Sequence, residues 1–156
     1  MDIPTWIVIA KRLYELSKAN HDDAFLPDGP LILFTNFKTA YDRQDTQALG
    51  RCVASTFQGD FYDAETKDGL IEVFEGLFEQ LPPFASPNLS IEFFQLIENT
   101  PTAYEAIITF NGNLTVAGLQ VPFTDYDAGR VACRLEPTGP RNTWQITKLD
   151  RDEDDE

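Results

Sequence analysis

Histidine, cysteine and positive charge are scarce in this 156-residue chain, and each scarcity removes a class of chemistry. The single histidine, His21, lies in the polar stretch AsnHisAspAsp, so a zinc centre or a serine-histidine triad has nothing to be built from. The two cysteines, Cys52 and Cys133, have neither ligand spacing nor the count of a disulfide framework, and both fall on apolar element faces. They read as reduced, buried thiols. Lys and Arg number 12 against 26 Asp and Glu, a net charge of -14. Asp150 to Glu156 holds six acids and one base, which assigns -5 to the tail and leaves -9 for the body. With no cationic stripe to release counterions from a phosphate backbone, neither nucleic acid nor an anionic membrane is an expected partner. Long hydrophobic runs are missing as well. Trp6 to Ala10 is too short for a signal sequence or a membrane span, and a soluble, cytoplasmic protein is expected.

What is present begins with helices. Ile3 to Asn20 reads as a helical arm with Trp6, Ile9, Leu13 and Leu16 in a stripe, followed by a linker to Pro30. A second helix is expected from near Leu31 to near Arg43, with Leu31, Phe34, Phe37 and Tyr41 on one face. Asp45 has the position of an N-cap for a short helix through Ala48, Leu49, Cys52 and Val53. Thr56 to Asp63 reads as a short strand or strand pair broken at Gly59. From Gly69 to Leu81, Leu70, Phe74, Leu77, Phe78 and Leu81 share a helix face and Glu72, Glu75 and Glu79 mark the solvated one, until Pro82 and Pro83 end it. These glutamates lack the second cluster a metal would need, and AspTyrAspAlaGly at 125–129 reads as a turn, so neither metal nor cofactor is expected.

Leu89 to Leu149 carries the sheet, in the segments LSIEFFQLIEN, TAYEAIITFN, GRVACRLE and TWQITKL. Strict alternation puts Ile91, Phe93 and Ile97 on one face and Phe94 and Leu96 on the other, and Tyr104, Ala106, Ile108 and Phe110 alternate along the next segment. With both faces partly apolar, helices should cover one and a partner subunit or further chain the other. Asn99 to Thr102 is a turn, AsnGlyAsn at 111–113 a turn or bulge, and Leu114 to Ala128 either one hairpin or a long loop with an edge strand. Glu98 and Glu105 read as edge charges that discourage sheet-to-sheet pairing. The acidic segment 151–156 reads as a disordered tail.

Three helices before a mostly antiparallel sheet, with AlaTyrAspArgGlnAsp ending the second helix and TrpGlnIleThrLysLeu as the final strand, resemble the nuclear transport factor 2-like superfamily. Its polyketide cyclase SnoaL-like and ketosteroid isomerase-like branches are included in the resemblance. It covers about 31–150 and leaves 1–30 as an added arm. It implies an α+β fold in which a curved sheet wraps around three helices (a cystatin-like cone), an apolar pocket at the open end, and a homodimer through the outer face of the sheet.

The fold hosts both enzymes and binding proteins, so residues must decide between them. The resemblance to ketosteroid isomerase makes Asp63 the nearest match for a general base. It places Phe37 where an oxyanion tyrosine would stand, Tyr41 one turn later, and Val131 near the position of a hydrogen-bonding aspartate. Arg134 with Asp60 or Asp63 loosely matches an epoxide-hydrolase network. For Asp63 two readings stand: a carboxylate at the cone mouth among Phe57, Phe61 and Tyr62, able to move a proton, or a turn residue bonded to its own backbone. Tyr41 is either its helper or core packing. Phe34, Phe37, Tyr41, Phe57, Phe74, Phe78 and Trp144 are core, or pocket wall for a small apolar ligand if the cone is hollow. A binding protein without a complete catalytic set is the preferred expectation, with an isomerase, cyclase or hydrolase using Asp63 as the alternative.

Overall fold

Helix α1, Asp28–Asp42, starts three residues before the expected Leu31, because Pro27 stands at its N-cap and Pro30 sits in the first turn, where a missing N–H costs nothing. The computed structural model describes residues 26–151, and of Asn111 and residues 120–129 the backbone only. The expected helical arm and the residues after Arg151 lie outside that range. Helix α2, Thr46–Arg51, is capped as the sequence suggests, with Asp45 Oδ1 accepting from Ala48 N at 3.0 Å. Strand β1 is Val53–Gly59. Helix α3, Lys67–Glu79, begins two residues before the expected Gly69 because Thr66 caps it, its Oγ1 accepting from Gly69 N at 3.2 Å.

Four further strands follow: β2 Ala85–Thr100, β3 Ala103–Val116, β4 Leu119–Glu136 and β5 Gln145–Arg151. The sheet order is β1-β5-β4-β3-β2, antiparallel except for the parallel pair β1–β5. Leu114 to Ala128 resolves as a hairpin. Ala117 and Gly118, at φ 51 and 81, make its two-residue turn, and a glycine at the second position suits that geometry. The turn expected at 125–129 is instead continuous β4, with Asp127 paired to Asn111. Asn111 sits between two register shifts, so AsnGlyAsn is a bulge.

Bulges also correct the faces of β2. Register shifts between Phe93 and Gln95 and between Leu96 and Glu98 each reset the alternation. Leu96 therefore turns inward, opposite Ala106, and packs against the core, while Ile97 is left 49% exposed. On the inner face Ile91, Phe93, Tyr104, Ala106, Ile108, Phe110, Val131, Cys133 and Leu135 are all buried against the helices.

Two polar devices brace this arrangement, and neither was visible as a motif. Lys38, only 7% exposed, donates from Nζ to Asp42 Oδ2 at 2.6 Å, Asn88 Oδ1 at 2.8 Å and the Leu89 carbonyl at 2.7 Å. Asp42 Oδ1 accepts from Leu89 N at 2.8 Å, so α1 is clamped to β2 with every ammonium proton used. On the outer face Arg134 spans three strands. Its Nη1 reaches Glu98 at 2.9 Å and Glu105 at 3.2 Å, and its Nε reaches Glu136 at 2.9 Å. Glu98 and Glu105, read from sequence as edge charges, are thus ion-paired, and Glu105 belongs to an interior strand. Four residues earlier on β4, Arg130 lies 4.1 Å over the Phe94 ring, crossing β3 at Thr109, whose buried hydroxyl has no hydrogen-bond partner among the described residues.

Removing one member of a buried charged pair leaves the other uncompensated. Asp42→Ala should therefore cost about 3 kcal/mol by urea denaturation, and the double variant Lys38→Met/Asp42→Ala should recover part of that loss.

Candidate functional site

Of the side chains expected at the site, Phe37, Tyr41, Phe74 and Phe78 come together as one aromatic cluster, with Phe34 beside it on the same helix. On α1, Phe34, Phe37 and Tyr41 follow each other at helical spacing and enter the sheet's concave side. Phe34 meets Phe93 edge-on at 5.5 Å and Tyr104 at 6.4 Å. Phe37 lies 5.7 Å from Phe74 and 5.4 Å from Phe110, while Tyr41 lies 6.0 Å from Phe74 and 5.4 Å from Phe78. Phe61 closes the group, 6.3 Å from Phe74 and 5.9 Å from Phe110. Phe74, projecting from α3, is the hub that touches three of these rings. The edge-on pairs among them, such as Phe34–Phe93 and Tyr41–Phe74, are each worth about 1 kcal/mol beyond the area they bury.

The cluster is packed. Phe34, Phe37, Tyr41, Phe57 and Phe74 are between 0% and 3% exposed, so ring meets ring where an open cone would leave space. Trp144 stands apart from it. Its indole covers the first turn of α1 so closely that a Cβ on Gly29 would overlap it. A void of about 20 Å³ adjoins the end of the cluster, lined by Asp60, Phe61, Tyr62, Val131 and Arg151. That holds about one water molecule.

Asp63 and Tyr41 sit in opposite environments. The chain from Asp60 to Ala64 is a tight turn in which Asp63 N donates to the Asp60 carbonyl at 3.1 Å and Ala64 N to Phe61 at 2.9 Å. Tyr62 and Asp63 both have positive φ, 50 and 65, which costs a residue with a side chain about 1 kcal/mol or more. Asp63 is exposed, and its carboxylate makes no hydrogen bond or ion pair among the described residues. The carboxylate expected as a general base is thus outside the cluster, whereas its neighbour Asp60 is engaged, accepting from Arg151 N at 2.7 Å. Arg134, the other member of the loose hydrolase match, is on the sheet's outer face and bound to glutamates. The sequence did not point to Phe110 and Phe61 as cluster members. Phe110 stood in the alternation of β3, but the ring contact depends on how the bulged sheet curls.

Burial decides the protonation of the cluster. The Tyr41 phenol is held well above its usual range by burial first, then by Asp42 and Tyr62. Tyr104 and Cys133 are also raised, mainly by burial, and burial pushes the Cys52 thiol from 9.0 up to about 11. These groups are neutral when folded but ionise earlier in the unfolded chain. Their contribution is therefore complete below about pH 9 and is lost as pH rises toward and through the folded values. Urea midpoints should hold between about pH 7 and 8.5 and fall above about 9, by about 1.4 kcal/mol per unit for each group ionised only when unfolded.

No protein-family model and no curated protein matches the sequence. Solved structures do match the fold. A protein from Catenulispora acidiphila, in complex with S-DNPA, aligns with a TM-score of 0.58 at 11% identity over 81% of this chain and 92% of its own. A conserved protein from Planctomyces limnophilus gives 0.56 at 12% identity over 78% and 91%. A Nostoc punctiforme domain of unknown function with a cystatin-like fold gives 0.53 at 12% over 78% and 74%. Identities this low establish architecture and leave chemistry open. The chain has a cystatin-like fold, a curved sheet wrapped around helices.

Proposed function

We propose that the protein is a non-catalytic binding member of this fold that takes one small, flat, apolar molecule at the end of the aromatic cluster, against Phe61, Tyr62 and Val131. The observation that carries this reading is the junction of three features at one place: a continuous wall of rings, a residual void of about 20 Å³, and a turn held at positive φ. The void is too small for a ligand as it stands. Room comes from swinging the Asp60–Ala64 turn outward, which releases backbone strain and lets an aromatic ligand replace the Phe61 ring against Phe74 and Phe110. Such a ligand selects an open minor state, so its apparent affinity is reduced by that state's population.

Catalysis is disfavoured by what stands where donors are needed. Phe37 and Val131 occupy the matched oxyanion positions and cannot donate, and a missing donor commonly forfeits about 3 kcal/mol of transition-state stabilisation. The exposed Asp63 carboxylate has no hydrogen-bond or ion-pair partner among the described residues. Association of two copies through the outer face belongs to the same proposal, supported by Phe94 and the exposed Ile97 on that side, and sedimentation should give twice the chain mass.

Thermal denaturation with indole, 2-naphthol and similar probes tests the binding site. A probe at about 100 times its Kd adds about 2.7 kcal/mol of stability, a shift of several degrees. Phe61→Ala, which opens the void, should bind the same probes more tightly, and Asp63→Asn should leave both stability and binding unchanged. If no probe raises the melting temperature of either the natural protein or Phe61→Ala, the reading is wrong.

A further inference from the structure

A second concavity lies on the opposite face of the sheet, and strand register creates it. Along the parallel pair, Val53 is opposite Ile146 and Gln58 opposite Lys148, so five steps on β1 answer two on β5. The surplus chain, which carries Thr56, bows away from β5 and leaves a trough of about 250 Å³. Thr56 and Gln58 form one bank, Thr147 and Lys148 the floor, and Arg134 and Glu136 the other bank.

The hydrogen-bonding capacity of these groups is half spent in a fixed way. Glu136 Oε2 accepts from Arg134 Nε at 2.9 Å and from Thr147 Oγ1 at 3.0 Å, leaving Oε1 without a donor among the described residues. Arg134 Nη1 is taken by Glu98 and Glu105, leaving Nη2 without an acceptor there. The side chains of Thr56 and Gln58 are exposed and make no hydrogen bond within the described chain. Lys148 pairs with Asp150 at 3.2 Å. A strong acceptor, Oε1, and a strong donor, Nη2, therefore belong to two side chains locked against each other.

Charge narrows what fits. An anion would meet Glu136 with Glu98 and Glu105 behind it, and a cation would meet Arg134 and Lys148. An apolar group would strand the unpaired atoms. Adjacent hydroxyl groups satisfy both demands, since one can donate to a carboxylate oxygen while its neighbour accepts from a guanidinium N–H. We propose that this outer-face trough binds a neutral, polyhydroxylated small molecule through a vicinal diol held by Glu136 and Arg134, with Gln58 and Thr56 completing its contacts. The site is independent of the interior reading, because no residue is shared between them.

Titration of the full chain with methyl α-D-mannopyranoside and with myo-inositol, followed by amide correlation spectra, tests this. The expected result is saturable shifts confined to Thr56, Gln58, Arg134, Glu136, Thr147 and Lys148, with Kd of about 1 mM as befits an open site. Gln58→Leu, which leaves the Arg134 network intact, should weaken binding about fivefold or more, and Glu136→Gln more strongly. Absence of saturation at about 50 mM, shifts located elsewhere, or equal affinity in Gln58→Leu overturns the proposal. So does the same saturable response to inorganic phosphate, which would mark an anion site. A change in sedimentation by Gln58→Leu without loss of sugar binding also overturns it and assigns the trough to contact between copies.

Discussion

Ring-on-ring burial between two helices and one bent sheet is the constraint from which the rest follows. Phe74 can touch Phe37, Tyr41 and Phe61 together only if α3 and α1 lie side by side in the sheet's hollow, and Phe37 can also reach Phe110 only if β3 curves toward them. The bulges in β2 and in the β3–β4 pair supply that curvature. The Lys38 clamp fixes the angle at which α1 enters. An ammonium buried this deeply would be a liability in a loose interior. Here three acceptors at 2.6 to 2.8 Å surround it, and the helix has one position relative to β2.

The polar residues divide the molecule by face. Inside, Tyr41, Tyr104 and Cys133 are kept neutral by burial and the Lys38 ammonium is held by its three acceptors, which suits close packing. Outside, β4 presents Arg130 and Arg134 on one side, each reaching across β3 to β2. These two bridges hold the long strands in lateral register where hydrogen bonds alone could slip at the bulges. They also balance part of the negative charge that composition spreads over the surface.

Elements with a strong local signal were legible in the sequence. Asp45 as a cap, the Leu70–Phe74–Leu77 face of α3 and the alternation Tyr104, Ala106, Ile108, Phe110 appear in the structure as their residues dictate. What was not legible depends on register. Alternation grouped Leu96 with Phe94 and Ile97 with Ile91 and Phe93, and bulges that no residue type announces exchanged the two. The partners of Arg134 come from positions 36, 29 and 2 residues away, so no spacing could disclose the cluster. The aromatic residues of the candidate site were identifiable by type and helical phase. Whether they line a space or fill it is a matter of tenths of a nanometre between elements far apart in the chain, and sequence does not carry that.

Strand order imposes a timetable on synthesis. β1 is made early, yet among the described residues its only neighbour in the sheet is β5, and β5 also pairs with β4. A nascent chain emerging from the ribosome can close the β2–β3–β4 meander as it appears, while β1 waits with an unsatisfied backbone until Gln145–Arg151 slides between the two. Completion of the sheet is thereby made conditional on the final strand, and a message truncated before it would leave β1 unpaired and the β4 edge bare for chaperones to recognise.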